Sequence, residues 1–308
     1  MVTIDLTAPA PEPASFLDGL PRRLALTLPE LRLAAAHAGE APLPFDLEEP
    51  PEPGALEGRL GHSRGSAEAE AYAEALDTLH DPEESLRRRG LLTDGGMDAS
   101  IVGAIGLLAT PTLALDLDVT ADGTQVKAWH RQGGDAVATL ATCDGIVFEL
   151  AWFHVDQWPA ELARTGAVPA DVTLRASAVP ESIDLPLPLL DAVGEALRAG
   201  RSDLVPVLAQ QHGQGVVDGS GRPVPDGEVG AVAQAFHTEG RGRLRVLGAR
   251  VDESETTQIG VVSWVLLADG WHSLAPHTTD QGPRVRVRRV QPADLATDLA
   301  PVLAQVNA

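Results

Sequence analysis

The stretch VLLADGWHSLAPH, from Val265 to His277, has the pattern of two short strands joined at an Asp-Gly turn. Asp-Gly between apolar runs is a strong hairpin signal, because glycine accepts the positive φ angles that tight turns need. The stretch also places Asp269, His272 and His277 within nine residues, a composition that a metal site could share. Successive strand residues point to opposite faces, so these histidines diverge, and Pro276 interrupts the strand between them. We therefore interpret the stretch as a turn.

An earlier stretch repeats this hairpin. Trp129 lies five residues before Gly134 of a Gly-Gly-Asp turn, as Trp264 lies five residues before Asp269. Further residues match at nearly the same separation along the sequence as the two tryptophans. Val155 matches Val290, and Ala160-Glu161-Leu162 matches Ala293-Asp294-Leu295. A recurring offset that carries helices, strands and a closing helix in the same order indicates two pseudo-equivalent halves of one fold.

The chain is expected to form one compact globular unit with three sections. These are a Pro-rich N-terminal extension at 1–23, an N-terminal half at 24–170 and a C-terminal half at 171–308. Alternating and apolar runs predict strands at 24–28, 113–119, 125–132, 136–142, 146–154, 243–251, 259–268, 271–275 and 285–290. Apolar periodicity, caps and glycine stops predict helices at 29–39, 66–80, 82–90, 101–108, 156–164, 187–199, 202–211, around 229–236 and from 292.

The composition excludes several classes of protein. The 44 acidic and 23 basic residues give a net charge of −21, which opposes binding to nucleic acid or to an anionic membrane. The single Cys143 excludes an intramolecular disulfide framework. The longest uncharged run, 99–115, is too short to span a bilayer and contains a proline. No signal peptide is recognisable, so we expect a cytoplasmic protein without membrane insertion.

Candidate catalytic and binding motifs all have simpler interpretations. GHSRG around Ser63 has G-x-S-x-G spelling, but a Pro-rich loop precedes it where the motif needs a strand. The glycine-rich segment 213–227 lacks phosphate-loop spacing and lysine, so we expect a mobile loop. Asp116 and Asp118 share a strand face, which a solvated surface explains, and the arginines at 87–89 fit a solvated helix end. We assign no catalytic, cofactor-binding or metal-ligating residue.

Five short motifs, in this order and spacing, resemble the EspG family of cytosolic chaperones of mycobacterial and related type VII (ESX) secretion. They are LTLPEL (26–31), SLRRRGLL (85–92), LLATP (107–111), GGDAVATL (133–140) and DGWHSLAP (269–276). The resemblance extends from about residue 24 to 303. The family's Asp-Thr-x-x-Gly-Arg before the last hairpin is missing here, where Asp252 and Gly260 stand in a different frame, and a Pro-rich N-terminus is added.

The resemblance implies an α+β fold with a central antiparallel sheet and two helical bundles, in two pseudo-twofold-related halves. It implies a non-enzymatic chaperone that binds the helical tip of a PPE-type protein in a PE-PPE heterodimer, or a related helical secreted protein, and keeps it soluble. It places the contact surface on the loop between the second and third strands and on the C-terminal bundle. The corresponding residues here are Thr120, Asp122, Gly123 and Gln125 in the loop and Val229, Ala233 and Phe236 on the helix.

Other interpretations stay open at this stage. The apolar stripe of the helix at 229–236 would equally serve as bundle core, because it must bury against something in either case. A small-molecule enzyme with a cleft between the halves, using acids such as Asp116 and Asp118, is the main alternative function. An adaptor domain outside secretion is the third. We expect a monomer or weak homodimer, and no cofactor.

Overall fold

The structure is a computed structural model of the 308-residue chain, and it describes Leu17 and residues 20–45, 80–252 and 256–304. Ser63, most of the Pro-rich extension and residues 66–79 of an expected helix lie outside these ranges. Residues 46–65 also lie outside them. The strands and helices below refer to the described ranges alone.

Eleven of the thirteen strands found in the described ranges belong to one antiparallel sheet, in the order β1-β7-β6-β5-β4-β10-β11-β12-β13-β8-β9, and β2 and β3 form a separate small hairpin. The strands are β1 (Arg22–Thr27), β2 (Leu92–Thr93), β3 (Gly96–Met97), β4 (Leu113–Ala121), β5 (Thr124–Gly133), β6 (Ala136–Thr142), β7 (Val147–His154), β8 (Ser182–Pro186), β9 (Val217–Asp218), β10 (Gly242–Val251), β11 (Thr256–Leu267), β12 (Gly270–Thr279) and β13 (Gly282–Arg289).

The described residues also form eight α-helices. They are α1 (Leu28–His37), α2 (Pro82–Arg88), α3 (Ala99–Ala109), α4 (Trp158–Thr165), α5 (Leu187–Arg198), α6 (Val205–His212), α7 (Asp226–Thr238) and α8 (Leu295–Ala304). Asp81 caps α2, since its carboxylate accepts from the backbone N–H groups of Glu83 and Glu84. The helix expected from residue 202 begins later, at Val205, because Ser202 starts a 3-10 turn that precedes α6 without a side-chain cap.

The strand order has the same pattern from either end of the sheet. One end runs β1-β7-β6-β5-β4 and the other runs β8-β13-β12-β11-β10, with β9 added at the edge. The two series meet where β4 pairs antiparallel with β10, with Leu117 opposite Val246. The α+β class and the central antiparallel sheet are therefore confirmed.

The chain separates into two compact units. The first comprises Met1–Thr112 and His130–Trp158, and the second comprises Leu113–Trp129 and Pro159–Ala308. The halves expected at 24–170 and 171–308 are defined by repetition of sequence and not by contacts, and they stay a prediction.

A buried carboxylate, Glu30, fixes the first turn of α1 in the first unit. Thr27 and Glu30 form a capping box, and the Arg89 guanidinium donates to both Glu30 carboxylate oxygens at 3.1 and 3.2 Å. Arg89 also donates to the Ala25 carbonyl at 2.7 Å. The expected solvated helix end holds for Arg87, which pairs with exposed Glu83, and Arg89 is also exposed but binds buried Glu30 in addition.

We predict an acid-sensitive contribution to stability from Glu30. Burial alone would raise the pKa of Glu30, but hydrogen bonds from Thr27 and Ser85 and the charge of Arg89 hold it below its usual 4.5. As the pH falls, the Glu30 carboxylate is therefore protonated in the unfolded chain before it is protonated in the folded chain. Its contribution to the free energy of unfolding is complete above pH 4.5 and is lost as the pH falls through the pKa of Glu30 in the folded state.

Urea unfolding at pH 7 and at pH 3 tests this. We expect Glu30→Gln to lower the free energy of unfolding by about 1–3 kcal/mol at pH 7, because buried donors lose a charged acceptor. The difference from the wild type should narrow at pH 3. An equal difference at both pH values would contradict the assignment.

In the second unit, helices α5, α6 and α7 pack on one face of the sheet around β8 and β13. Their shared core includes Leu189, Val193, Val205, Val229, Ala233, Ile183, Leu185, Val285 and Val287. The segment 213–227, expected to be a mobile loop, contains β9 and a turn held by Asp218. The Ser220 hydroxyl and the Arg222 backbone N–H donate to that carboxylate and lower the pKa of Asp218 to about 2.

Candidate partner-binding surface

The β4–β5 hairpin presents the first group of expected contact residues. Asp122 and Gly123 form its two-residue turn with φ angles of +49° and +88°, both in the left-handed region. Two-residue hairpins favour such turns because their twist matches that of the strands. Asp122, Gly123 and Gln125 are exposed and Thr120 is half-buried. The hairpin tip is therefore accessible.

Arg241 connects this tip to the end of α7. Its Nη2 lies 2.8 Å from Asp122 Oδ2, its backbone carbonyl accepts from the Asp122 N–H at 2.9 Å, and its Nη1 donates to the Thr173 carbonyl at 2.7 Å. Arg241 follows the last residue of α7, Thr238, by three positions. The structure thus brings the hairpin tip and the C-terminal end of α7 together.

The expected contact residues on α7 lie on its inward side. Val229 is 2 % exposed and Ala233 is 0 % exposed, and both belong to the bundle core. Phe236 is half-buried against the same core, with its ring edge-on to the His237 ring at 5.4 Å. The outward side of α7 carries Glu228 and Ala231, both exposed.

An exposed valine on the neighbouring helix provides apolar surface instead. Val207 in α6 is 50 % exposed, whereas Val205, two positions earlier, is buried in the bundle core. Helices α6 and α7 lie close together, since a Cβ on Gly230 would lie 3.4 Å from the Ala209 Cβ. Val207 was not identified from the sequence, where its only signal is an apolar residue out of phase with the buried positions.

One of the candidate acids, Asp118, and the buried His130 have structural partners. Asp118 accepts from Gln125 Nε2 at 3.0 Å and lies 3.9 Å from Arg243 Nη2. Buried His130 accepts at Nδ1 from the Trp158 indole N–H at 2.9 Å. No group of three or more His, Cys, Asp or Glu side chains in the described ranges is placed to hold a metal ion.

The stretch from Val265 to His277 forms the β11–β12 hairpin, as expected. His272 is fully buried and its Nε2 lies 2.9 Å from Asp269 Oδ1, so the aspartate fixes the ring beside the turn. His277 contacts Asp184 instead, with its Nε2 3.1 Å from Asp184 Oδ2. The two histidines therefore diverge, and the interpretation as a turn is confirmed. The expected break of the strand at Pro276 is wrong, because β12 continues through it to Thr279 and stays paired with β13.

None of the helices in the described ranges is both long and apolar enough to cross a membrane.

Comparison with known proteins finds a likeness in fold alone. No protein-family model matches the chain. No curated protein matches it either. Among solved structures, the chain is similar to the Mycobacterium tuberculosis type VII secretion system chaperone EspG5, solved in complex with the PE25-PPE41 dimer. The match has a TM-score of 0.61 and 10 % identity, and it covers 92 % of this chain and 96 % of EspG5. The chain therefore has an EspG-like fold.

Proposed function

We propose that this protein is a non-enzymatic cytoplasmic chaperone of type VII secretion that binds the helical tip of a PE-PPE heterodimer and keeps it soluble. The observation that carries the proposal is the EspG-like fold over 92 % of the chain, because EspG5 was solved with a PE-PPE dimer bound. We propose that the protein is a monomer or weak homodimer when its partner is absent.

The proposed contact surface combines the hairpin tip with the outward side of the C-terminal bundle. The tip supplies Thr120, Asp122, Gly123 and Gln125, and α6 supplies Val207. An exposed apolar side chain beside polar groups is the composition expected of an interface centre with a polar rim. Of the α7 residues implied by the resemblance, Phe236 is the one with side chain accessible for a direct contact, and Val229 and Ala233 would act by shaping the bundle.

The charge of the chain is consistent with this role. A helical pair with an apolar tip would self-associate when free in solution, and a partner with a net charge of −21 would cover the tip while repelling other copies of itself. The enzyme alternative gains no support from its acids, because Asp118 is engaged by Gln125 and Arg243.

Co-expression tests the proposal. The chain carrying an affinity tag would be produced with each PE-PPE pair encoded near its gene, and complexes would be sized by light scattering after gel filtration. We expect one chaperone bound to one PE-PPE dimer for at least one pair, and less aggregated PE-PPE protein than in expression without the chaperone. If every pair elutes separately from the chain and aggregates equally, the proposal fails.

A further inference from the structure

Strands β11 and β12 separate partway along their length. They are paired from the turn as far as Ser263, which lies opposite Leu274. Beyond that point, the described residues of the two strands are not paired with each other. Both strands nevertheless continue. Strand β11 extends to Thr256 while still paired with β10, and β12 extends to Thr279 while still paired with β13. The sheet therefore contains a cleft with a strand edge on each side.

A groove of about 420 Å³ lies at the apex of this cleft. Its lining includes Val261, Ser263, Leu274, Pro276, Arg286 and Val302. Val261 is 39 % exposed, which is unusual for a valine on an inner strand of a sheet. Helix α8 borders one side, where Val302 packs against Gly260 so closely that a Cβ there would lie 3.0 Å from it. The groove thus combines apolar surface with strand backbone.

The two edges differ in their capacity to bind another strand. On β12, Pro276 lies opposite Val285 of β13 and has no N–H to donate, and proline in a sheet is characteristic of edges that bind no further strand. The edge of β11, TTQIGVV from Thr256 to Val262, contains no proline and has four β-branched residues besides an isoleucine. The register with β10 shifts at Ile259, and the rest of this edge has a composition that favours pairing with an added strand.

The charge beside the groove is positive, in contrast with the chain as a whole. Three arginines, Arg284, Arg286 and Arg288, project from β13 next to two carboxylates, Asp184 and Asp298. Arg284 pairs with Asp184, and Arg288 Nη2 pairs with Asp298 Oδ1 at 3.0 Å. Arg286 is 62 % exposed and its Nε lies 3.9 Å from the already paired Asp184. Its charge is therefore available to an acidic ligand.

We propose that this cleft binds an extended, acidic segment of a partner protein, which adds a strand to the β11 edge between Thr256 and Val262. Backbone hydrogen bonds to β11 provide affinity, the groove at Val261 takes a small apolar side chain, and Arg286 selects a carboxylate. This site recognises an extended chain, whereas the surface proposed above recognises a helical tip, so each can exist without the other.

Fluorescence anisotropy with synthetic peptides tests the proposal on the full chain. The probe is a labelled octapeptide in which valine and threonine alternate with aspartate. Two further probes carry N-methyl groups on one or the other alternate set of amides, since only one set faces β11. We expect the unmodified probe to bind, one N-methylated probe to lose at least about tenfold in affinity, and hydrogen exchange to slow at 256–262 on binding.

The chain provides a matched control for the charge. Arg243 is 64 % exposed and lies 3.9 Å from Asp118, which closely matches the exposure and pairing of Arg286. We expect Arg286→Glu to weaken probe binding about tenfold and Arg243→Glu to leave it unchanged. Absence of probe binding, equal binding of both N-methylated probes, or equal losses in the two variants would overturn the proposal. A dimer of the chain that the probe dissociates would overturn it too, because a second copy would then be the occupant.

Discussion

Val207→Asp is expected to lower the affinity of the chain for the PE-PPE partner proposed above about thirtyfold. Val207 is half exposed on α6, which packs against α7 at Gly230, and apolar partner surface would bury it. Placing a carboxylate in a desolvated interface centre costs on the order of 2 kcal/mol or more. Isothermal titration calorimetry with the PE-PPE pair identified by co-expression measures the change.

A second exposed valine provides the control for this experiment. Val147 is 44 % exposed and lies in β7 of the first unit, on a different element from the proposed surface. Val147→Asp should leave the affinity within about twofold, and both variants should unfold at the wild-type urea midpoint. Equal affinities for Val207→Asp and the wild type would remove Val207 from the interface.

Arg284→Ala is expected to destabilise the second unit by about 3–5 kcal/mol, because it leaves the Asp184 carboxylate buried without its main partner. The side chains of Arg284 and Asp184 are 7 % and 11 % exposed, and the guanidinium also donates to the Gly215 carbonyl at 2.7 Å. The change therefore removes the pair and the contact that joins β13 to the segment before β9. Urea unfolding, followed by tryptophan fluorescence, measures the loss.

The double variant Arg284→Met, Asp184→Leu distinguishes a lost ion pair from lost packing. Apolar side chains of similar volume can replace a buried pair with little net cost, so we expect the double variant to recover most of the lost stability. A double variant as unstable as Arg284→Ala would mean that the arginine acts mainly through Gly215 and through its packing.

Local signals in the sequence were sufficient for the hairpins. The glycines at 134 and 270 mark the turns, and their φ angles are +57° and +127°. The alternation of Leu115, Leu117 and Val119 with aspartates predicted which face of β4 is buried and which is in contact with solvent. These features depend on neighbours within a few residues, so the chain's own pattern determines them. The α+β class was implied by the resemblance of five short motifs to the EspG family, and the fold confirms it.

Features that depend on distant residues were not predictable. The apolar stripe of α7 could have faced a partner or the bundle, and only the packing of α6 and α5 places Val229 and Ala233 inside. The ion pair of Asp184 and Arg284 joins residues 100 positions apart, beyond the range of any spacing rule. The splay of β11 from β12 likewise arises from pairing with the strands outside the hairpin and leaves no periodic signal.

The strand order also constrains synthesis on the ribosome. Strand β1 pairs with β7, which is synthesised much later. At the contact between Arg23 and Glu149, the two residues are 126 positions apart. At typical elongation rates this interval lasts roughly 6–25 seconds. The second half repeats the delay, since β8 pairs with β13 about a hundred residues on. Strand β1 therefore leaves the exit tunnel long before its neighbour exists, and β8 is paired on one side alone, by β9, until β13 is made. Nascent chains of this protein are open to general chaperones during both intervals.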